Sequence, residues 1–215
     1  MDLKRVFTKV FAWMFIGLLI TFLTGYTVAN NYKMLEFVFS GFTWIIFAIV
    51  EFVLVVVLSA RIQKMNPMTA KICFIVYSLV TGLTFSSIFV VYKITSIIFV
   101  FGITSVLFGI FALIGKFTNI DLTKLGTYLL MGLIGIIVCS IVNMFIGSES
   151  FNFVIIVLSI LVFLGYTAYD IQKIKKLANF FENEDNLAIC GALELYLDFI
   201  NLFIDLLKLF GKERN

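Results

Sequence analysis

Seven stretches of apolar sequence, each about twenty residues or longer, run almost end to end through this chain. They cover residues 10–29, 37–60, 72–92, 94–115, 125–147, 151–171 and 187–210. A helix needs about 20 apolar residues to cross a bilayer's hydrocarbon core. Within that core every backbone polar group must be satisfied internally, which leaves only helices and closed barrels. Barrel strands are about ten residues long and alternate in polarity. These runs are twice that length and do not alternate, so the predicted fold class is an all-α integral membrane protein with a seven-transmembrane-helix bundle. Composition agrees: 62% of the residues are apolar and only 13% charged, against about 25% charged in soluble domains. The connecting segments are short and no soluble domain stands out, so residues 1–215 read as a single transmembrane domain.

Lysine and arginine give the orientation. Eleven lie on one side: Lys4, Arg5 and Lys9 at the N-terminus, then Arg61, Lys64, Lys71, Lys116, Lys124, Lys173, Lys175 and Lys176 in alternate loops. Five lie on the other: Lys33, Lys93, Lys208, Lys212 and Arg214. The positive-inside rule then puts the N-terminus in the cytosol and the C-terminus outside. Nothing marks a eukaryotic organelle, and a bacterial plasma membrane is the expected location. The first run lacks a small-residue cleavage site and is followed by further membrane segments, so it reads as a retained helix.

Several chemistries are excluded. The chain has no histidine, which removes Ser-His catalysis, His-based zinc sites and histidine-ligated haem. It also removes the usual switch near neutral pH, so any pH response must come from carboxyl groups. Cys73, Cys139 and Cys190 are not spaced as metal pairs and read as buried thiols acting as small hydrophobes. No phosphate-binding glycine loop is present, and nothing suggests nucleic-acid binding. The acidic tract at residues 182–186 lacks the ligand order of an EF-hand; it reads as a solvated loop in which Asp185 or Asn186 caps the seventh run. Ser105 and Gly109 form a small-x-x-x-small pair suited to close helix contact.

The informative residues are the polar ones inside the membrane, because a charge in hydrocarbon is costly and marks a functional site by default. Glu194, Asp198, Asn201 and Asp205 sit at offsets of 0, 4, 7 and 11 along the seventh run. At about 100° per residue they share one narrow face. That face is expected to look into the bundle, with the seventh helix central. Asp205 reads as an interfacial residue near the outer surface. Asp170 ends the sixth run, Arg61 ends the second, and Glu51 lies ten residues before Arg61. One cation and as many as four carboxylates are thus expected to converge on the cytosolic half. Asp198 lies eleven residues into its run, about 16 Å along the helix. It meets Asp170 only if the sixth helix continues past Ile171 or the seventh begins below the membrane plane.

The segment Leu195-Tyr-Leu-Asp-Phe-Ile-Asn-Leu-Phe203, with Tyr169-Asp170 closing the preceding helix, resembles the transmembrane Bax-inhibitor-motif family, as do the helix count and size. The resemblance implies a pH-sensitive calcium leak channel that is not an enzyme. In that family two aspartates form the sensor, and they correspond here to Asp170 and Asp198; a latching arginine corresponds to Arg61. Glu194 departs from the family pattern, in which a neutral residue is commoner. Two carboxylates about 4 Å apart repel by about 4 kcal/mol at an effective dielectric near 20, so they would share one proton and titrate as a pair. Their hard oxygens, with Glu194 or Glu51, also suit Ca²⁺ as the bound or transported ion.

Two other classes compete. A membrane scaffold that regulates other proteins and conducts nothing is compatible with the same composition. An intramembrane aspartyl protease would use the Tyr169-Asp170 pair, but it also needs a Gly-x-Gly-Asp element where this chain has Leu195-Tyr-Leu-Asp198, and a Pro-Ala-Leu element where the only proline is Pro67.

Overall fold

The computed structural model describes residues 2–214. It is all-α, with no strand among the described residues. The helices are α1 (Leu3–Ala29), α2 (Tyr32–Phe39), α3 (Thr43–Arg61), α4 (Pro67–Val91), α5 (Ile94–Phe117), α6 (Thr123–Ile146), α7 (Glu149–Leu177) and α8 (Glu184–Phe210), with a 3-10 turn, Ile62–Lys64, after α3. Seven of them are long and apolar enough to cross a membrane. Many of their large apolar side chains face outward, Phe52, Phe99 and Phe145 among them, as lipid-facing helices require.

The chain divides into two compact units. The first comprises Met1–Ile94, Lys176–Tyr196 and Glu213–Asn215; the second comprises Thr95–Lys175 and Leu197–Lys212. The second unit's first segment is therefore inserted within the sequence of the first unit.

In the first unit α1 packs on α4. The buried residues of α1 are Val6, Val10, Met14, Gly17, Thr21, Gly25 and Val28, spaced three or four apart and so on a single face. Three are small, which lets the backbones approach closely. A Cβ on Gly82 of α4 would stand 2.6 Å from the Thr24 Cβ, and one on Gly25 would stand 3.1 Å from the Gly82 carbonyl oxygen.

In the second unit the end of α7 is stapled to the loop between α5 and α6. Gln172 donates to the Ile120 carbonyl at 2.8 Å and accepts from the Leu122 N–H at 2.8 Å. Lys175 donates to the Gly115 carbonyl at 3.5 Å and to that of Lys116. A Cβ on Gly115 would overlap the Ala168 backbone, so α5 and α7 touch there main chain to main chain. Phe199 of α8 packs against Phe101 and Phe108 of α5, with ring centroids 5.2 and 5.5 Å apart.

Three expectations are corrected. The second apolar run does not start its helix at Phe37. Gly41 takes the left-handed conformation, with φ +51°, and breaks the chain into a short α2 and a separate α3. Ser105 and Gly109 form no close contact: Ser105 is exposed and bonds back to the Phe101 carbonyl, and a Cβ on Gly109 would meet nothing within 4 Å. The cap of α8 is neither Asp185 nor Asn186. It is Asn183, whose side chain accepts from the N–H groups of both, at 2.8 and 3.3 Å. That leaves the Asp185 and Asn186 side chains available for long-range bonds.

Candidate functional site

The last turns of α7 carry Asp170 and the middle of α8 carries Asp198. α7 continues to Leu177 and α8 starts at Glu184. α7 thus continues past Ile171, and α8 begins three residues before its apolar run at Leu187. No helix breaker lies between Gln172 and Leu177, and the Asn183 cap starts α8 early.

Asp170 and Asp198 are both in the second unit and are 5% and 4% exposed. Both act electrostatically on the hydroxyl of Tyr166, as do Tyr169 and Lys173. Tyr166 is one turn before Asp170, and Lys173 is three residues after it, so α7 places all three on one side. The Tyr166 and Tyr169 rings meet edge to face, centroids 6.3 Å apart. Tyr169 lies against Gly126 of α6, where a Cβ would fall within 2.9 Å of the ring and its hydroxyl. Tyr166 carried no signal of its own in the sequence as a site residue, and Lys173 counted only towards orientation. Their spacing from Asp170 on one helical face was the available signal.

The stripe on α8 is uneven. Glu194 is half-buried. Asn201 turns its amide back onto the Leu197 carbonyl at 2.8 Å. Asp205, five residues before the end of α8, is 7% exposed, accepts a 2.5 Å hydrogen bond from Ser159, and pairs with Lys208 at 3.2 Å.

The expected gathering of carboxylates is not present as a metal cage. Among the described residues, no three His, Cys, Asp or Glu side chains could hold a metal ion. Glu51 is engaged instead by hydroxyls of α4, Thr81 at 2.8 Å and Thr84 at 3.2 Å. Arg61 is exposed on the last turn of α3. The turn that follows it is held by Asn186, whose side-chain amide donates to the Ile62 carbonyl at 2.9 Å and the Met65 carbonyl at 2.8 Å.

A second polar cluster lies at the start of α8, in the first unit. The Asp185 carboxylate spans two lysines, Lys9 of α1 and Lys71 of α4, each at 2.6 Å. Glu184 pairs with Lys9 at 2.9 Å and with Arg5 at 3.3 Å. Acidic side chains in a first helical turn also complement the helix dipole.

Comparison with known proteins agrees with this architecture. Residues 3–215 match the family model described as inhibitor of apoptosis-promoting Bax1. The inner membrane protein YbhL of Escherichia coli is 41% identical over 218 residues, covering 99% of this chain and 93% of YbhL. An uncharacterized protein of Borreliella burgdorferi is 41% identical, covering 99% of this chain and 94% of that protein. One from Rickettsia prowazekii is 38% identical, covering 99% and 92%. With seven membrane-length apolar helices and a match from end to end, the chain belongs to the Bax inhibitor family and is an integral membrane protein.

Proposed function

We propose that this protein is a pH-sensitive calcium leak channel in which Asp170 and Asp198 share the sensing proton. The observation that carries the reading is the pair itself. Two aspartates on successive helices, each about 95% buried, belong to one compact unit and act on the same tyrosine hydroxyl. Such a pair changes charge in steps that belong to both groups rather than to either. A downhill leak needs no catalytic group and no energy-coupling site. Ca²⁺ is the transported ion in this reading, passing oxygen donors singly rather than resting in a cage. The chain lies in a bacterial plasma membrane with its N-terminus in the cytosol and its C-terminus outside; basic-residue asymmetry and the inner-membrane relative support that placement.

The test is calcium flux from vesicles containing the purified protein, measured from pH 5 to 9. Flux should vary with pH in the wild type. Asp170→Asn and Asp198→Asn should each flatten the profile while the protein stays folded. Unchanged profiles in both variants would overturn the sensor assignment, and no flux at any pH would favour a scaffold that conducts nothing. Arg61 is assigned the role of a latch on the closed state, so Arg61→Ala should raise the basal leak. A silent Arg61→Ala would leave Arg61 as a charged residue that only ends α3 at the membrane surface.

A further inference from the structure

Glu51 lies midway along α3, whose one buried side chain is Leu58. Its two carboxylate oxygens are both met by hydroxyls of α4, Thr81 and Thr84. Thr81 is 1% exposed. Tyr77 and Tyr196 bring two further buried hydroxyls into the surroundings of Glu51. The Tyr196 hydroxyl stands 2.6 Å from that of Thr21, and Thr21 donates to the Ser78 carbonyl at 3.0 Å. Tyr196 is fully buried, Tyr77 3% and Thr21 2% exposed. These groups, from α3, α4, α8 and α1, all belong to the first unit.

The composition of this network decides what it can do. The groups facing Glu51 are Thr81, Thr84 and Tyr77 from α4 and Tyr196 from α8; among the described residues no basic side chain contributes to its surroundings. A fixed cation would commit the carboxyl to its ionised form. Hydroxyls do not, since each donates one proton and accepts through its lone pairs. Thr81 can donate to a carboxylate or accept from a carboxylic acid. Thr84 has a second partner already in reach, the Thr81 carbonyl at 2.9 Å. Its single proton serves the Glu51 oxygen in one state and that carbonyl in the other. Both protonation states of Glu51 therefore leave every group bonded, without movement of the helices.

We infer that Glu51 is a proton-binding site in its own right, built by the Thr81 and Thr84 hydroxyls and independent of the Asp170–Asp198 pair. The inference does not depend on calcium conduction. Infrared difference spectroscopy of the full chain in lipid nanodiscs, titrated from pH 5 to 9, tests it. The starting protein carries Asp170→Asn and Asp198→Asn, so that the aspartate pair is silent. A protonated-carboxyl band should grow as pH falls and should vanish when Glu51→Gln is added. Thr81→Val should move the midpoint of that band by about one pH unit, the scale expected on losing one hydrogen bond to a charged group. Thr81→Ser, which keeps the hydroxyl, should restore the midpoint and so separates the lost bond from a packing defect. A spectrum that Glu51→Gln leaves unchanged would overturn the site. A band that Thr81→Val leaves in place would overturn the role of the Thr81 hydroxyl.

Discussion

Gly115→Ala is expected to destabilise the protein by about 2 kcal/mol. Overpacking a tight contact costs about 1–3 kcal/mol, and here the added Cβ would overlap the Ala168 carbonyl group. That neighbour is α7 backbone and cannot rotate away as a side chain would, so the cost belongs at or above the upper end. Alanine recovers up to about 1 kcal/mol through helix propensity. Thermal unfolding in detergent reads the difference, with Gly109→Ala on the same helix as the control. Gly109 has open space where its Cβ would lie, so that change should be neutral or slightly stabilising. Equal effects from the two would show that the α5–α7 contact is looser than described. Because Ala168 lies two residues before Asp170, the same displacement should also disturb any pH response.

Asn186→Leu should cost about 3 kcal/mol. The side chain is 2% exposed and its amide satisfies two carbonyls in the turn after α3. Leucine has similar bulk but no donor. Two hydrogen bonds are lost, each worth about 1 kcal/mol net, and a buried acceptor left unsatisfied adds about 1–3 kcal/mol. The segment at residues 62–65 would then be held less firmly, so trypsin should cut after Arg61 or Lys64 faster than in the wild type. An unchanged cleavage rate would mean that the turn is held by other contacts. The corresponding change at Asn183 removes only a helix cap, about 1 kcal/mol, and should be milder.

The membrane architecture was legible because one physical requirement dominates it. Runs of apolar residues long enough to cross lipid are legible with no knowledge of tertiary contacts, and all seven became helices. The misreadings occurred where a short-range signal had several outcomes. Gly41 inside an apolar run was invisible to hydropathy, yet its left-handed φ divides α2 from α3. The Asn183-to-Asn186 segment offered several cap candidates; Asn183 capped the helix, and Asp185 and Asn186 bonded to residues more than a hundred positions away. Ser105 and Gly109 matched a packing motif, but Gly17, Gly25, Gly82 and Gly115 make the close approaches. Spacing along one helix says which residues share a face and does not say which face meets a neighbour. Asp198 stood out by its depth in an apolar run, and Asp170 by its place at the end of one and by the family resemblance. Tyr166 and Lys173 were missed because a tyrosine and a terminal lysine are unremarkable until their helix is seen beside the acids.

The ion cluster at the head of α8 has a consequence for synthesis. Lys9 and Lys71 emerge early from the ribosome, whereas Asp185 and Glu184, which neutralise them, follow more than a hundred residues after Lys71. Until then two like charges face each other across the α1–α4 seam. A nascent chain halted before residue 184 should thus leave those two helices unclasped and open to quality-control proteases, and translation past that point completes the clasp.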